Sequence, residues 1–231
     1  TNITFEFRGM LKCSILWDED PNLLGMKNGI FDIRTQTFRQ GRREDLILLS
    51  TGIEYHPLSN WKEEEIEAAK RSFPQSLLES LRRGLLTDAK RPIEILRGSY
   101  YSIDRLKCQL MKTFGDYIQT RPSYEVLGIR NWSNPSPRRL MIYDEPYAFD
   151  SKTTKRLPYE RLFRLTDLSG HVYLLTRGEL EISPRSRDNE SMTLDQFSQK
   201  YPQKIKLIDL PEALSDTTTD PSLLLALILN Y

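Results

Sequence analysis

The apolar positions of this chain change their period along its length. Between Leu23 and Gln40, LLGMKNGIFDIRTQTFRQ alternates short apolar stretches with turn residues. Asn28-Gly29 is a strong hairpin signal, so short antiparallel strands are expected there. ITFEF (3–7) and CSILW (13–17) carry the same β-favouring residue types, and Leu46 to Leu49 adds an apolar run before Thr51-Gly52. A β-rich N-terminal segment over residues 1–57 follows. The period then turns helical. In KEEEIEAAKRSF, Ile66, Ala69 and Phe73 share one face, Asn60 and Glu63 form the expected capping pair, and Pro74 closes the helix. SLLESLRRGLL predicts a second helix with Leu77, Leu78, Leu81 and Leu85 turned inward.

Beyond these helices strand and helix alternate, the signature of an α/β layer rather than a sandwich. Ile93 to Leu96 predicts a strand ending at Arg97-Gly98, and Ile103, Leu106, Leu110 and Phe114 make the following helix amphipathic. Leu140–Tyr143, His171–Leu175 and Lys204–Leu210 predict three more strands. Thr193 and Gln196 bracket a capping box, and Asp220-Pro221 caps SLLLALIL. That last helix is apolar on nearly every face and needs partners on several sides, another subunit being one candidate.

Composition narrows the class. Lys+Arg 33 against Asp+Glu 32 leaves a net charge of +1, so the chain lacks the overall basic field of a nucleic-acid coat, though not a local patch. Cys13 and Cys108, like His56 and His171, stand far apart without metal-ligand spacing, so no metal site is expected, and two free thiols fit a reducing compartment. The longest apolar run, Leu223 to Leu229, is too short for a membrane span of roughly 20 residues. The start, TNITFEFRG, lacks the pattern of a signal peptide. It also lacks an initiator Met, so an upstream segment is expected to have been removed or to lie outside this chain.

A strand running into a glycine turn and a helix is how phosphate-binding loops are built. Counted from Gly98, however, the second glycine, the Lys and the hydroxyl of the pattern GxxxxGK[ST] are replaced by Ile103, Asp104 and Arg105. An Asp in place of the Lys turns attraction into repulsion, worth about 4 kcal/mol at 4 Å and an effective dielectric of about 20. That corresponds to a loss of triphosphate affinity on the order of a thousandfold. Downstream, RRLMIYDEP has the form of a strand whose terminal Asp144 and Glu145 would hold a Mg²⁺ shell and orient water. An atypical NTPase in which Arg105 or Lys107 replaces the Lys is the enzymatic alternative.

These residues resemble a family, the primase-helicases of large DNA viruses with a poxvirus-type superfamily 3 helicase core. The resemblance rests on LLGMKNGIFDIRTQTFRQGRREDLILLSTGIEYHP (23–57), on Leu78 to Gly98, on MKTFGDYIQTRPSYEVL (111–127) and on SPRRLMIYDEP (136–146). It implies an α/β fold, a degenerate P-loop ATPase-like domain over 58–231 behind the small β-rich segment 1–57. The family's Gly-Lys-Ser/Thr is absent at 103–105, and Arg177 stands where a polar sensor Asn is expected. The arginine finger before KIKLIDLPE (204–212) is missing, Arg185 and Arg187 being the nearest candidates.

The resemblance, with these losses, implies a pseudoenzyme. No catalytic residue, cofactor or metal is expected, Gly98, Asp104 and Arg105 being a vestigial phosphate loop and Asp144 and Glu145 a vestigial metal-binding strand end. The leading expectation is a structural or protein-interaction component of a large DNA virus, such as a minor virion protein, working with other viral proteins in an assembly. Its place would be the virion or the host cytoplasm or nucleus. The alternative is an inactive accessory subunit of a replication helicase. In that role Arg42-Arg43, Arg82-Arg83, Lys90-Arg91 and Arg138-Arg139 would line a DNA channel, and Tyr100, Tyr101 and Trp132 would stack on bases.

Overall fold

The structure is a computed structural model, and it describes residues 17–85, 92–122, 139–144, 156–158, 162, 171–177, 180–183, 191–215 and 219–230. The N-terminal part is a three-stranded antiparallel meander: β1 (Leu23–Met26), β2 (Gly29–Asp32) and β3 (Thr37–Arg39). Met26 pairs with Gly29 across the Lys27-Asn28 turn. Asn28 does more than turn the chain. Its side chain donates to Tyr55 O (3.0 Å) and accepts from Tyr55 N (2.9 Å), imitating a strand partner for a segment that has none.

The apolar run Leu46–Leu49 forms no strand, and Leu48 is 64% exposed. Its backbone is satisfied in another way. Asp18 Oδ1 accepts from Leu48 N and Leu49 N, and Leu49 O accepts from the Tyr117 hydroxyl. The strand expectations at 3–7 and 13–16 lie outside the described residues.

Helices α1 (Glu63–Ser72) and α2 (Gln75–Leu85) follow, with Phe73 and Pro74 between them. The cap of α1 differs from the expected one: Lys62 N donates to Glu65 Oε2 (3.0 Å), while Asn60 ends a separate turn of 3-10 helix. Glu65, rather than Glu63, closes the box on the Lys62 backbone, so the helix starts two residues later. Leu77, Leu78, Leu81 and Leu85 are all buried, as their spacing predicts.

The centre is a five-stranded, all-parallel sheet. Its strands are β4 (Ile93–Arg97), β5 (Ile118–Pro122), β6 (Leu140–Asp144), β8 (His171–Thr176) and β11 (Ile205–Asp209). Their spatial order is β11-β4-β8-β6-β5. A second, small sheet is formed by β7 (Arg156–Pro158), β9 (Glu181–Ser183) and β10 (Met192–Thr193), in the order β10-β9-β7. Near-continuous burial of β4, β6 and β8 is what a sheet covered on both faces demands.

One face carries α2, α3 (Tyr100–Phe114) and α5 (Pro221–Leu229), whose side chains join Leu96, Ile142, Tyr173 and Ile208 in one cluster. The other carries α4 (Leu194–Lys200), whose Leu194 and Phe197 pack on Ile93, Ile95, Val172 and Leu174. The C-terminal helix α5 finds its partners within the chain: α1, α2, α3 and the 3-10 turn at 58–60 surround it, and every residue from Leu223 to Leu229 is buried. No second subunit is needed to cover it. Among the described residues no helix is long and apolar enough to cross a membrane.

The meander and the sheet share that first cluster, in which Leu24, Met26 and Phe31 join Leu77, Leu110 and Tyr117. Tyr117 is the polar hinge between them. Its hydroxyl accepts from Gly25 N (2.7 Å) and donates to Leu49 O (2.9 Å), and burial raises its pKa against the opposing hydrogen bond from Gly25. Arg139, at the start of β6, stacks on the Tyr117 ring (4.9 Å) and donates to Leu23 O (2.6 Å). Burial lowers the pKa of Arg139.

The meander edge carries a pH-sensitive pair. Arg39 binds Asp45 through both guanidinium amines (2.8 and 2.6 Å), and this bond lowers the Asp45 pKa from 3.8 to about 2. A depressed folded-state pKa gives stability that is present above the unfolded value and lost as the pH falls through the folded one. The Asp45 contribution, about 1 kcal/mol after solvent screening, is therefore expected to fade between about pH 4 and pH 2. Urea titrations of the wild type and Asp45→Asn should converge in stability as the pH falls through that window.

Candidate functional site

In an open α/β sheet, ligands bind outside the carboxyl ends of the strands, where neighbouring strands send their chains to opposite faces. That condition holds between β4 and β8. From β4 the chain enters α3 on one face, and from β8 it proceeds toward α4 on the other. The crevice between these strand ends gathers Gly98 and Ser99, the first turns of α3, Asp144 at the end of β6, and Arg177 just after β8.

The stretch after Gly98 is already helical. Helix α3 begins at Tyr100, so residues 100–105 are its first turns rather than a loop. Ile103, where a phosphate loop has its second glycine, is fully buried in the core. Ser99 caps the helix by accepting from Ser102 N (3.2 Å), so one of the N-terminal donors is satisfied within the chain. Gly98 is closely packed: a Cβ there would lie 3.1 Å from Leu210 Cβ, and its N–H donates to Thr176 O (3.1 Å).

The charged groups of the crevice neutralise one another. Asp144 accepts from Lys107 Nζ (2.5 Å) on one oxygen and faces Arg177 Nη1 (3.1 Å) with the other. Arg177 Nη2 in turn donates to Asp104 Oδ1 (2.6 Å). Among the described residues the contacts join two carboxylates and two cations, with the Arg177 side chain 10% and that of Asp144 15% exposed. Burial works to lower the Arg177 pKa, but the hydrogen bond to Asp104 and the charge of Asp144 outweigh it, and the net shift is upward. The guanidinium also lies 5.1 Å from the Tyr100 ring centre.

Asp104, Asp144, Lys107 and Arg177 thus converge from three elements, and Arg105 leaves the group on a different side of α3. Glu145, Trp132, Lys90, Arg91, Arg138, Arg185 and Arg187 lie outside the described residues. Of the basic pairs, Arg139 is spent on Tyr117 and Leu23, and Arg83 faces Glu94 (3.6 Å). Among the described residues no cluster of His, Cys, Asp and Glu could hold a metal ion.

Two further networks hold the ends of the sheet. Arg97, the last residue of β4, binds both oxygens of Asp209 (2.6 and 3.1 Å) and both of Asp195 (2.8 and 3.3 Å), tying β4, β11 and α4 together. At the opposite end of the sheet Glu94 is 1% exposed and holds Oε2 3.2 Å from His171 Nε2. Its other oxygen lies 3.6 Å from Arg83 and 3.9 Å from Lys206. The imidazole that stands alone in the chain order therefore lies against a buried carboxylate. An acid inside the run Ile93-Glu94-Ile95-Leu96 was the available signal, since a buried carboxylate requires a partner.

The site is thus an α/β strand-end crevice closed by ion pairs, behind a meander and two helices. Residues 14–81 match the family model described as D5 N terminal like. That span takes in β1–β3, α1 and most of α2, and over it the chain is similar to the N-terminal domain of D5 primase-helicase-like proteins. It crosses residue 57, where the sequence suggests a change of domain, and ends within the helix pair that α5 covers. Comparison with curated proteins finds no match.

Proposed function

We propose that this chain is a non-catalytic, helicase-like protein of a large DNA virus, kept for its surface as a structural or protein-interaction component of an assembly with other viral proteins. One observation carries the reading. Where the fold would take a phosphorylated ligand, Asp144 is engaged by Lys107 and Arg177, and Arg177 also binds Asp104. A Mg²⁺ ion would have to displace Lys107 and Arg177 from Asp144, and a triphosphate would meet Asp104 at the helix start. The match to a D5-like N-terminal region supports the helicase-related origin. The intact cores on both faces of the sheet support a scaffold that outlived its chemistry.

Purified protein is expected to show no ATP hydrolysis above a buffer blank. Hydrolysis abolished by Glu145→Gln would replace this reading with an atypical NTPase, whereas a trace rate untouched by that change is contamination. Fixed stoichiometry in stripped, nuclease-treated particles, read by quantitative mass spectrometry, is the expected result for an architectural role. Absence from particles with enrichment alongside polymerase and active helicase would overturn that role.

A further inference from the structure

We infer that residues 46–53 are a strap and that the turn Gly115–Tyr117 at the end of α3 is its catch, so that the meander opens as one unit when the catch lets go while the central sheet stays folded. The strap lies between that turn and the edge of β1 that β2 leaves free. Thr51 N donates to Gly25 O (2.9 Å) and Ile53 O accepts from Lys27 N (2.9 Å), which fixes the strap to β1. Toward α3, Ser50 O accepts from Asp116 N (2.9 Å), Ser50 N donates to Asp116 Oδ2 (3.1 Å), and Leu49 O accepts from the Tyr117 hydroxyl (2.9 Å).

The catch is shaped for this backbone. Gly115 has a φ of +48°, and a Cβ there would lie 2.4 Å from Thr51 O and 2.7 Å from Ser50 O, so a side chain has no room. The strap in turn is held in a disfavoured form. Leu46 (φ +49°) and Asp18 (φ +60°) are both left-handed, and Asp18 N donates to Leu46 O (2.8 Å). A bulky side chain such as that of Leu46 avoids this region unless the surrounding contacts impose it. Strain held by a few side-chain bonds is released when those bonds break, which favours opening.

The strand ladders divide at the same place. Among the described residues β1, β2 and β3 pair only with one another, and the five strands of the central sheet form their ladder without them. What the meander shares with the sheet is apolar contact, Leu24, Met26 and Phe31 lying in the cluster of Leu77 and Leu110, together with bonds to Tyr117 and Arg139. The packing on the other face, around Ile95, Leu174 and Phe197, takes no side chain from the meander. Opening therefore uncovers one apolar face and leaves the central ladder whole. Contiguous units of this kind open sub-globally, more often than the domain unfolds. The inference stands apart from the proposed role, since it involves no ligand of the crevice.

The test is native-state hydrogen exchange of the full chain, read by mass spectrometry in small steps of urea. Peptides from β1–β3 and from residues 46–53 are expected to share one opening, about tenfold or more frequent than the one that exposes β4 and β8, and with a shallower urea dependence. Tyr117→Phe keeps the ring beside Arg139 but removes the two hydrogen bonds of the hydroxyl, and is expected to speed exchange in the meander about tenfold. Gly115→Ala is expected to do at least as much, and if that variant fails to fold, Tyr117→Phe carries the test. Meander and sheet peptides exchanging together in the wild type would overturn the inference, because the fold would then open only as a whole. Faster exchange confined to residues 46–53 would overturn it as well, as would meander exchange unchanged by Tyr117→Phe.

Discussion

Replacing Arg177 by alanine is expected to destabilise the protein by about 3 kcal/mol, because it leaves Asp104 and Asp144 facing one another across a partly buried crevice with only Lys107 to compensate. The asymmetry of ion pairs makes the effect large: removing one partner exposes the desolvation cost of the others, whatever the net worth of the intact set. Arg177→Lys should recover only part of the loss, since an ammonium cannot span Asp104 and Asp144 as the two amines of the guanidinium do. A double-mutant cycle with Asp104→Ala, measured by urea denaturation, is expected to show a coupling energy of about 1–3 kcal/mol. Independent, additive effects would mean that the contact contributes nothing to the folded state.

The second large effect lies in α5. Leu225→Asp is expected to prevent folding, because the side chain is fully buried where α1, α2 and α3 converge and a carboxylate there has no counter-charge. Leu225→Ala, which only removes volume, is expected to cost about 2–5 kcal/mol. Against a total stability of about 5–15 kcal/mol, the milder change still leaves a measurable folded fraction in most of that range. Leu48→Ala serves as the contrast: at 64% exposure it is expected to change stability by no more than about 0.5 kcal/mol. Far-UV circular dichroism and chemical denaturation distinguish the three outcomes.

The helices and most strands were legible because their signals are local. Ile103, Leu106, Leu110 and Phe114 recur on one face and are all fully buried, and Thr193 with Gln196 closes the box that their spacing announces. Strand β5 escaped notice because IQTRP is neither an apolar run nor an alternation, and it is a strand by virtue of pairing with β6 at the sheet edge. The role of Arg177 was hidden for a similar reason. Its sequence neighbours show only that an expected polar residue is replaced by a cation, whereas its meaning depends on the strand order that brings α3 and β6 beside it. The apolar C-terminal helix announced its burial, but its partners lie in the first half of the chain, and no local pattern encodes that distance.

The candidate site divides in the same way. Asp104 and Asp144 stood out from spacing alone, and the structure brings them to one guanidinium. Gly98 stands out for the phosphate-loop pattern, and the structure adds a close neighbour, Leu210, more than 100 residues away in the chain.

The most direct test of the central claim is isothermal titration calorimetry of the wild-type chain with Mg·ATP up to millimolar concentration. A crevice whose carboxylates are held by Lys107 and Arg177 should give only heats of dilution. Saturable binding that is lost in Asp144→Asn would contradict the account, because it would show that the same carboxylate releases its internal cations to take a metal-bound nucleotide.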